Sequence, residues 1–349
     1  NAPKYKNWLN VGASGLIRGS FKVVGGNKVT MTFRFFDVIS QRQLLTKTAS
    51  TTKELAARVI YQFLDELIEL LTGEKGIFSS KLSYVKKTAG GKAIYISDID
   101  GRNERRVTDP TSLSLLPAWG QDGKTLLFTS YLRSNPDLYR LHLASRKLDW
   151  LSHKRGLNTG ASVSPDGTQI ALTLSVDGNT EIYVMAQDGT NLTRLTDSWG
   201  QDVSPTWSHD GKRIAFVSSR SGNPHIFTMN SDGSNPKRLS FRGDYNQEPD
   251  WSSRPGGQIV FTARDERLRY DLFLVDPDNG EMTRLTQDQG GNESPEHSPD
   301  GHQIVFTSTR PPQSGKKLYI MDVDGTNQRR VSRRPGAYET PSWGPRLGY

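Results

Sequence analysis

Residues that could perform catalysis or bind a metal are few and scattered in this chain. It has no cysteine, and its six histidines fall at different places within the repeated unit described below: His142, His153, His209, His225, His297 and His302. A zinc site needs three or four ligands that converge on one point. A serine hydrolase of the G-x-S-x-G type needs a motif that does not occur here. The sequence therefore predicts no catalytic residue, no metal site and no enzyme.

Aspartates two residues apart superficially resemble calcium loops. They occur as Asp98/Asp100, Asp276/Asp278 and Asp322/Asp324. A calcium loop of the EF-hand type needs a glycine at its sixth position and a glutamate at its twelfth, and these segments do not provide that spacing. Hairpin turns are the better interpretation, because Asp-Gly is typical of tight turns between strands. We expect no cofactor.

An internal repeat organises these residues. Six segments share an anchor, such as Pro-Ala-Trp-Gly-Gln-Asp-Gly at Pro117 and Pro-Thr-Trp-Ser-His-Asp-Gly at Pro205. The third residues of the anchors are separated by 44, 44, 44, 46 and 46 positions; they are Trp119, Val163, Trp207, Trp251, His297 and Trp343. A period this regular indicates one supersecondary unit that is stacked several times.

Each unit contains four short β runs separated by turn residues. In the third unit these runs lie around Thr206-Trp207 and at Arg213 to Ser218, His225 to Asn230 and Lys237 to Ser240. Four strands in about 40 to 45 residues are typical of one propeller blade. The sequence therefore predicts a mainly β fold, in which a six-bladed β-propeller over residues 77–349 follows a small N-terminal α/β domain over residues 1–76.

The first blade lacks its own first strand. Ser80 to Lys87, Ala93 to Asp98 and Arg105 to Thr108 supply its second, third and fourth strands, but no anchor precedes them. The last anchor, at Pro341 to Trp343, supplies a strand without a unit after it. An open ring would expose unpaired strand edges. We therefore expect the C-terminal strand to close the first blade.

Before the repeats, hydrophobic alternation predicts two strands at Leu16 to Val24 and Val29 to Val38, joined by Gly25-Gly26-Asn27, with a third strand at Leu44 to Thr48. Apolar residues then recur at helical spacing: Leu55, Val59, Ile60, Phe63, Leu64, Leu67, Ile68 and Leu71. Thr51 and Glu54 predict a capping box, and Gly73 predicts the end of the helix. About 60 residues bury little surface for an independent domain, so we expect a partial domain.

The charge distribution bears on the class of partner. The formal net charge is +8, yet residues 1–76 hold 11 Lys/Arg against 6 Asp/Glu and the repeats hold 34 against 31. The repeats therefore lack the basic surface that nucleic-acid binding needs. No run approaches the roughly 18 apolar residues of a transmembrane helix. We expect neither a nucleic-acid partner nor a transmembrane segment, and a monomer.

The variable loops of the propeller predict the binding site. Connections that lead into each first strand differ between units and share one face, and loops on a rigid scaffold commonly bind partners. Residues just before the proline anchors should surround the channel mouth as a polar, mildly acidic funnel. The candidate partner-binding residues are Ser114, Leu115, Leu157, Asn158, Thr159, Gly160, Asp202, Val203, Asn246, Gln247, Glu248, Asn292, Glu293, Tyr338 and Glu339.

Such a funnel suits a peptide or protein loop with basic and amide groups, or a cation in the central channel. The alternative is that its Asn and Asp residues only hold turns in place.

The repeats PTWSHDGKRIAFVSSRSGN and HIFTMNSDGSNPKRLS resemble those of the TolB family, and the junction LTGEKGIFSSKLSYV after the helix is similar to the link before that family's first blade. The resemblance implies a periplasmic, non-enzymatic protein of the Tol-Pal system, which supports outer-membrane integrity and cell division. It also implies that the funnel binds Pal, the peptidoglycan-associated lipoprotein, chiefly through Leu157 to Gly160 and Asp202 to Val203, and that colicins exploit the same site during protein import. A TolA-binding segment would precede Asn1.

The same kind of repeat also occurs in the propellers of prolyl-oligopeptidase-like and tricorn-like peptidases. The alternative function is therefore a regulatory or gating propeller of such a peptidase without its catalytic domain. The end of the chain six residues after Trp343 favours the first function, because those peptidases continue into a hydrolase domain.

Overall fold

A computed structural model describes residues 3–312 and 315–346 of the chain. The chain divides into two compact units, Asn1–Ser79 and Ser80–Tyr349. The first unit contains the predicted sheet and helix, and the second contains the repeats.

The N-terminal unit is a three-stranded antiparallel sheet with a long helix. Its elements are α1 (Tyr5–Leu9), β1 (Gly15–Gly25), β2 (Lys28–Asp37), β3 (Arg42–Thr52), a 3-10 turn (Lys53–Leu55) and α2 (Ala56–Thr72), and the strand order is β1-β2-β3. The predicted hairpin and third strand are confirmed. The short helix α1, which has no buried residue, was not predicted.

Helix α2 covers the sheet with its apolar side. Val59 packs with Val29 and Met31, and Phe63 and Leu67 pack with Phe35. Gly73 ends the helix in the left-handed conformation, with φ 77°, as predicted.

The predicted capping box is wrong. Thr51 lies inside β3, where it pairs with Val29 across the sheet, so it is not free to cap a helix. The carboxylate of Glu54 instead accepts a hydrogen bond from Asn27 Nδ2 at 2.6 Å, in the turn between β1 and β2.

The second unit consists of six four-stranded antiparallel sheets, which confirms the predicted six-bladed propeller. Blade 1 contains β4 (Lys81–Thr88), β5 (Gly91–Asp98), β6 (Arg105–Arg106) and β27 (Ala337–Trp343); blade 2 contains β7 (Ser114–Trp119), β8 (Thr125–Arg133), β9 (Asn135–His142) and β10 (Leu148–Ser152); blade 3 contains β11 (Asn158–Val163), β12 (Gln169–Leu174), β13 (Glu181–Ala186) and β14 (Thr193–Arg194).

The other three blades repeat this pattern. Blade 4 contains β15 (Asp202–Trp207), β16 (Arg213–Ser218), β17 (His225–Asn230) and β18 (Lys237–Arg238); blade 5 contains β19 (Asn246–Trp251), β20 (Ile259–Arg264), β21 (Tyr270–Val275) and β22 (Met282–Arg284); blade 6 contains β23 (Asn292–His297), β24 (Gln303–Ser308), β25 (Lys317–Asp322) and β26 (Arg329–Arg330).

The inner strands form a closed circle, in which β7, β11, β15, β19, β23 and β27 each contact the next, and β27 contacts β7. The C-terminal strand β27 pairs with β4 as predicted, from Ala337 opposite Lys87 to Trp343 opposite Leu82. Two indole nitrogens support this closure: that of Trp119 donates to the carbonyl of Ser342 at 3.2 Å, and that of Trp343 donates to Ser80 Oγ at 2.8 Å.

The anchor tryptophans and the turns that follow them have structural roles. Trp119 is buried against blade 1 residues such as Val85 and Ile94, so the anchor tryptophan packs between blades. In the turn after the anchor of blade 4, Ser208 Oγ donates to Asp210 at 2.7 Å and accepts from the backbone N–H of Arg213 at 2.9 Å. The Asp-Gly pairs are therefore hairpin turns.

Candidate functional site

The six inner strands enclose a central channel with a cavity volume of about 630 Å³. It is lined by the ends of the inner strands, the anchor residues and the turns that follow them. One end opens on the face that carries the Asp-Gly turns, which we call the turn face. The opposite face of the propeller, which we call the funnel face, carries the turns between second and third strands and the connections into each inner strand.

Each inner strand contains a β-bulge next to the first residue of its anchor, which is proline in five blades and Ala161 in blade 3. The ladder between the first and second strands shifts register there in all six blades. The residue immediately before the anchor has a positive φ of 42° to 63° in every blade; these residues are Leu116, Gly160, Ser204, Glu248, Ser294 and Thr340. Bulges redirect the side chains around them, and all six residues line the channel.

Three places before the anchor, the predicted funnel residues are buried. These first-position residues are Ser114, Asn158, Asp202, Asn246, Asn292 and Tyr338, each 1% exposed or less. Side chains alternate along a strand, and this position points into the blade beneath the loop that precedes it. The expectation that these six side chains form an exposed rim is therefore wrong.

Their hydrogen bonds show what these side chains do instead. Asn158 accepts from Ser152 Oγ at 2.6 Å and donates to the carbonyl of Lys154 at 2.7 Å, and Asn246 donates to Ser240 Oγ at 2.7 Å and to the carbonyl of Arg242 at 3.0 Å. These contacts hold the preceding loop in place. The turn-holding alternative thus describes the first-position residues.

Two places before the anchor, the side chains are half-buried. They are Leu115, Thr159, Val203, Gln247, Glu293 and Glu339. Their two carboxylates are neutralised, because Glu293 pairs with Lys316 at 2.7 Å and Glu339 pairs with Lys92 at 2.6 Å.

The deeper carboxylate of Asp202 is also paired, with Arg220 at 2.5 Å. Burial raises the pKa of Asp202, and hydrogen bonds from Ser218 and the charge of Arg220 oppose that rise. The sequence predicted a mildly acidic funnel, but these ion pairs neutralise its carboxylates. An Asp202→Ala change would leave the half-buried guanidinium of Arg220 without its carboxylate and would perturb the loop as well as any bound partner.

Sequence reasoning missed the exposed apolar side chains of the funnel face. There are eight large ones, six in its loops and turns and two, Tyr131 and Leu132, at the end of strand β8. We call them the apolar arc: Leu113, Tyr131, Leu132, Leu157, Val176, Trp199, Phe241 and Leu268. Trp199 is 78% exposed, Phe241 68% and Leu268 66%. Of these eight residues only Leu157 was predicted as a contact.

Few other large apolar side chains are exposed in the described part of the propeller. They are Leu116, at the bulge, and Leu148 and Trp150, on the outer strand β10. An exposed tryptophan in a Ser-Trp-Gly loop and an exposed phenylalanine in a Ser-Phe-Arg-Gly loop were the sequence signal for the arc, since apolar residues in polar loops often mark binding surfaces.

Carboxylates in the channel join neighbouring blades. Glu248 of blade 5 accepts from the backbone N–H and the Oγ of Ser294 in blade 6 at 2.8 and 2.9 Å. Asp250 accepts from the backbone N–H and Nδ1 of His297, both at 2.8 Å. Glu296 of blade 6 accepts from Ser342 Oγ and the backbone N–H of Trp343 in blade 1, both at 3.0 Å. These carboxylates act as acceptors between blades.

Burial perturbs two of these carboxyl groups. It raises the pKa of Glu248 above its ordinary value, against the hydrogen bonds from Ser294. Burial and then the negative charge of Asp250 hold the pKa of Glu296 well above its ordinary value. No group of three or more His, Cys, Asp or Glu side chains arranged to hold a metal occurs within residues 3–312 and 315–346.

Glu296→Gln is expected to stabilise the chain at pH 8 by about 1 kcal/mol. Because its folded-state pKa lies above the unfolded one, ionisation of Glu296 costs folding free energy at high pH. That cost disappears as the pH falls through the folded-state pKa towards the unfolded value. The Oε1 of glutamine still accepts both hydrogen bonds. Urea unfolding from pH 4 to pH 8 measures the effect.

The matched control for that experiment is Glu293→Gln, which removes a carboxylate that has a lysine partner and should give no gain. A Glu296→Gln variant less stable than the parent throughout that pH range would contradict the prediction.

With this geometry in place, the chain can be compared with known proteins. A family model described as the TolB beta propeller domain matches residues 68–347, which is most of the chain. The chain belongs to the TolB family. A model of the TolB amino-terminal domain also matches, over residues 1–44. The resemblance of the repeats and of the N-terminal region to the TolB family is thereby confirmed.

Several TolB relatives are similar to parts of the chain. The Tol-Pal system protein TolB of Desulfosudis oleivorans is 41% identical over 160 residues, which cover 46% of this chain and 36% of the relative. The protein of the same name from Nitrosomonas europaea is 33% identical over 156 residues, covering 45% of this chain and 37% of the relative. The matched region thus spans little more than a third of the length of these curated relatives.

The crystal structure of TolB from Acinetobacter baumannii is similar over nearly the whole chain. It superposes with a TM-score of 0.86 and 26% sequence identity, and the match covers 98% of this chain and 86% of that one. As for the membrane, the described residues include no helix that is both long and apolar enough to span it.

Proposed function

We propose that this TolB-family chain is a non-enzymatic, periplasmic interaction module of the Tol-Pal system whose funnel face binds Pal. In that role it would support outer-membrane integrity and cell division. Colicins, as competitors at the same face, and TolA, through a segment before Asn1, are further proposed partners.

The observation that carries this proposal is the apolar arc. Exposed aromatic residues concentrate in the hot spots of protein interfaces, and patches of exposed apolar surface commonly mark interaction sites. The arc lies on the face with the variable loops, whereas the turn face is built from similar Asp-Gly turns. A binding surface confined to one face of a rigid ring suits a scaffold that captures a partner.

The residues that we propose to contact the partner differ from those predicted from sequence. The half-buried residues around the mouth, such as Leu115, Thr159, Val203 and Gln247, together with Leu157 and Gly160, remain proposed contacts, and the apolar arc is added to them. Asp202, Asn246 and the other buried first-position residues support the loops that carry the contacts.

The test is direct binding between the full chain and Pal without its lipid, measured by isothermal titration calorimetry. We expect a 1:1 complex with a dissociation constant in the micromolar range or tighter and a negative heat-capacity change, which is the signature of apolar burial. Absence of binding with both proteins at about 100 micromolar, by this method and by sedimentation, would overturn the proposal.

A further inference from the structure

The charges around the apolar arc indicate what kind of surface it binds. Many carboxylates on this face already have a basic partner within the propeller. Besides the three ion pairs at the mouth, Asp244 pairs with Arg264 at 2.8 Å and Asp288 pairs with Arg267 at 2.6 Å. Much of the negative charge of the funnel face is therefore neutralised by basic residues of the propeller itself.

Several basic side chains beside the arc have no such partner. Lys154 and Arg155 precede Leu157, Arg242 follows Phe241, and Arg269 follows Leu268. All four are exposed, and within the described residues their side chains form no ion pair. Two exposed carboxylates on this face, Glu266 and Asp109 in the connection into β7, likewise form no ion pair within the described residues.

We infer that the funnel face selects a partner whose contact surface is acidic around an apolar centre. This inference rests on the proposed function and specifies the chemistry of the partner at the same site. An apolar side chain from the partner would pack on Trp199 and Phe241, while its carboxylates would meet Arg155, Arg242 and Arg269. The charge inferred for the partner is therefore opposite to the one expected from sequence, which was a peptide or protein loop with basic and amide groups.

The physical reason is electrostatic complementarity. Unpaired cations on loop tips attract acidic surfaces over about 8 Å at physiological ionic strength and over longer distances at low salt. Such charges mainly accelerate association, and they discriminate against partners of like charge. The apolar centre, by contrast, controls how slowly the complex dissociates.

The test compares Arg155→Glu/Arg242→Glu with the unmodified chain in stopped-flow association with Pal between about 20 and 300 mM salt. We expect the association rate of the unmodified chain to fall about tenfold or more over this range. The double variant should associate at least tenfold more slowly at low salt, with a much weaker dependence on salt.

The matched control is Lys124→Glu, which reverses an exposed lysine in a turn of the opposite face and should leave the association rate unchanged within about twofold. Melting temperatures identify any variant that is misfolded. Binding that is insensitive to salt and to the double variant would overturn this inference while leaving the proposed function intact. If the unmodified chain does not bind Pal, both this inference and the proposed function are wrong.

Discussion

A chain that ends after Gly336 is expected to lose its cooperative thermal unfolding transition. Removal of β27 takes away the inner strand of blade 1 and exposes the edge of β4. Among the lost side chains, Tyr338 is completely buried and Trp343 is 5% exposed. Removing one buried aromatic side chain costs about 3–5 kcal/mol. A typical domain is stable by only about 5–15 kcal/mol.

The contacts of the closing strand explain why the loss should affect the whole ring. Tyr338 donates to Glu104 at 3.1 Å, and Glu104 also accepts from Tyr84 at 2.9 Å and pairs with Lys86 at 2.6 Å. On the opposite side, Glu296 of blade 6 accepts hydrogen bonds from Ser342 and Trp343. The strand thus joins the first blade to the sixth.

Calorimetry of the truncated and intact chains measures this effect. Tyr338→Phe is the matched control, because it keeps the strand and the ring but removes the hydroxyl hydrogen bonds. Its expected cost is about 1–3 kcal/mol, with cooperativity retained. A truncated chain that melts as sharply as the intact one, and at the same temperature, would show that the ring does not depend on its closing strand.

Trp199→Ala is expected to weaken binding to Pal by a factor of about 30 or more, corresponding to about 2 kcal/mol. The indole is 78% exposed and lies on a loop of the funnel face, so its removal takes away contact area without opening a cavity in the core. The melting temperature should therefore change by less than about 2 °C. Titration calorimetry and a thermal melt of the same preparation measure both quantities.

The control for this variant is Phe21→Ala in the N-terminal unit, where the ring is 76% exposed. It removes a similar amount of exposed aromatic surface and should not alter the affinity for Pal. If Trp199→Ala and Phe241→Ala both bind Pal as tightly as the parent, the apolar arc is not the contact surface and Pal, if it binds, does so elsewhere.

Particular elements show how far sequence reasoning reaches. Local turn residues determine two features, the hairpin of β1 and β2 and the end of α2 at Gly73. A few residues of sequence are enough to predict them. The capping box failed because Thr51 had a competing partner 22 residues earlier in the chain, and pairing across a sheet prevails over a local cap. Similarly, the burial of Asn158 and Asp202 depends on strand direction at a bulge, which spacing alone does not specify.

The number of blades and the closure by the last strand were determined by sequence alone, because a repeat with a period of 44 to 46 residues and a displaced final anchor permit few other arrangements. The character of the funnel face depended on three-dimensional packing. The polar residues three places before the anchors are buried. Carboxylates such as that of Glu293 form ion pairs with lysines of other loops, and Trp199 and Phe241 remain exposed. In each case, neighbours that are distant in sequence decide whether a side chain is buried or paired, and the residue type alone does not.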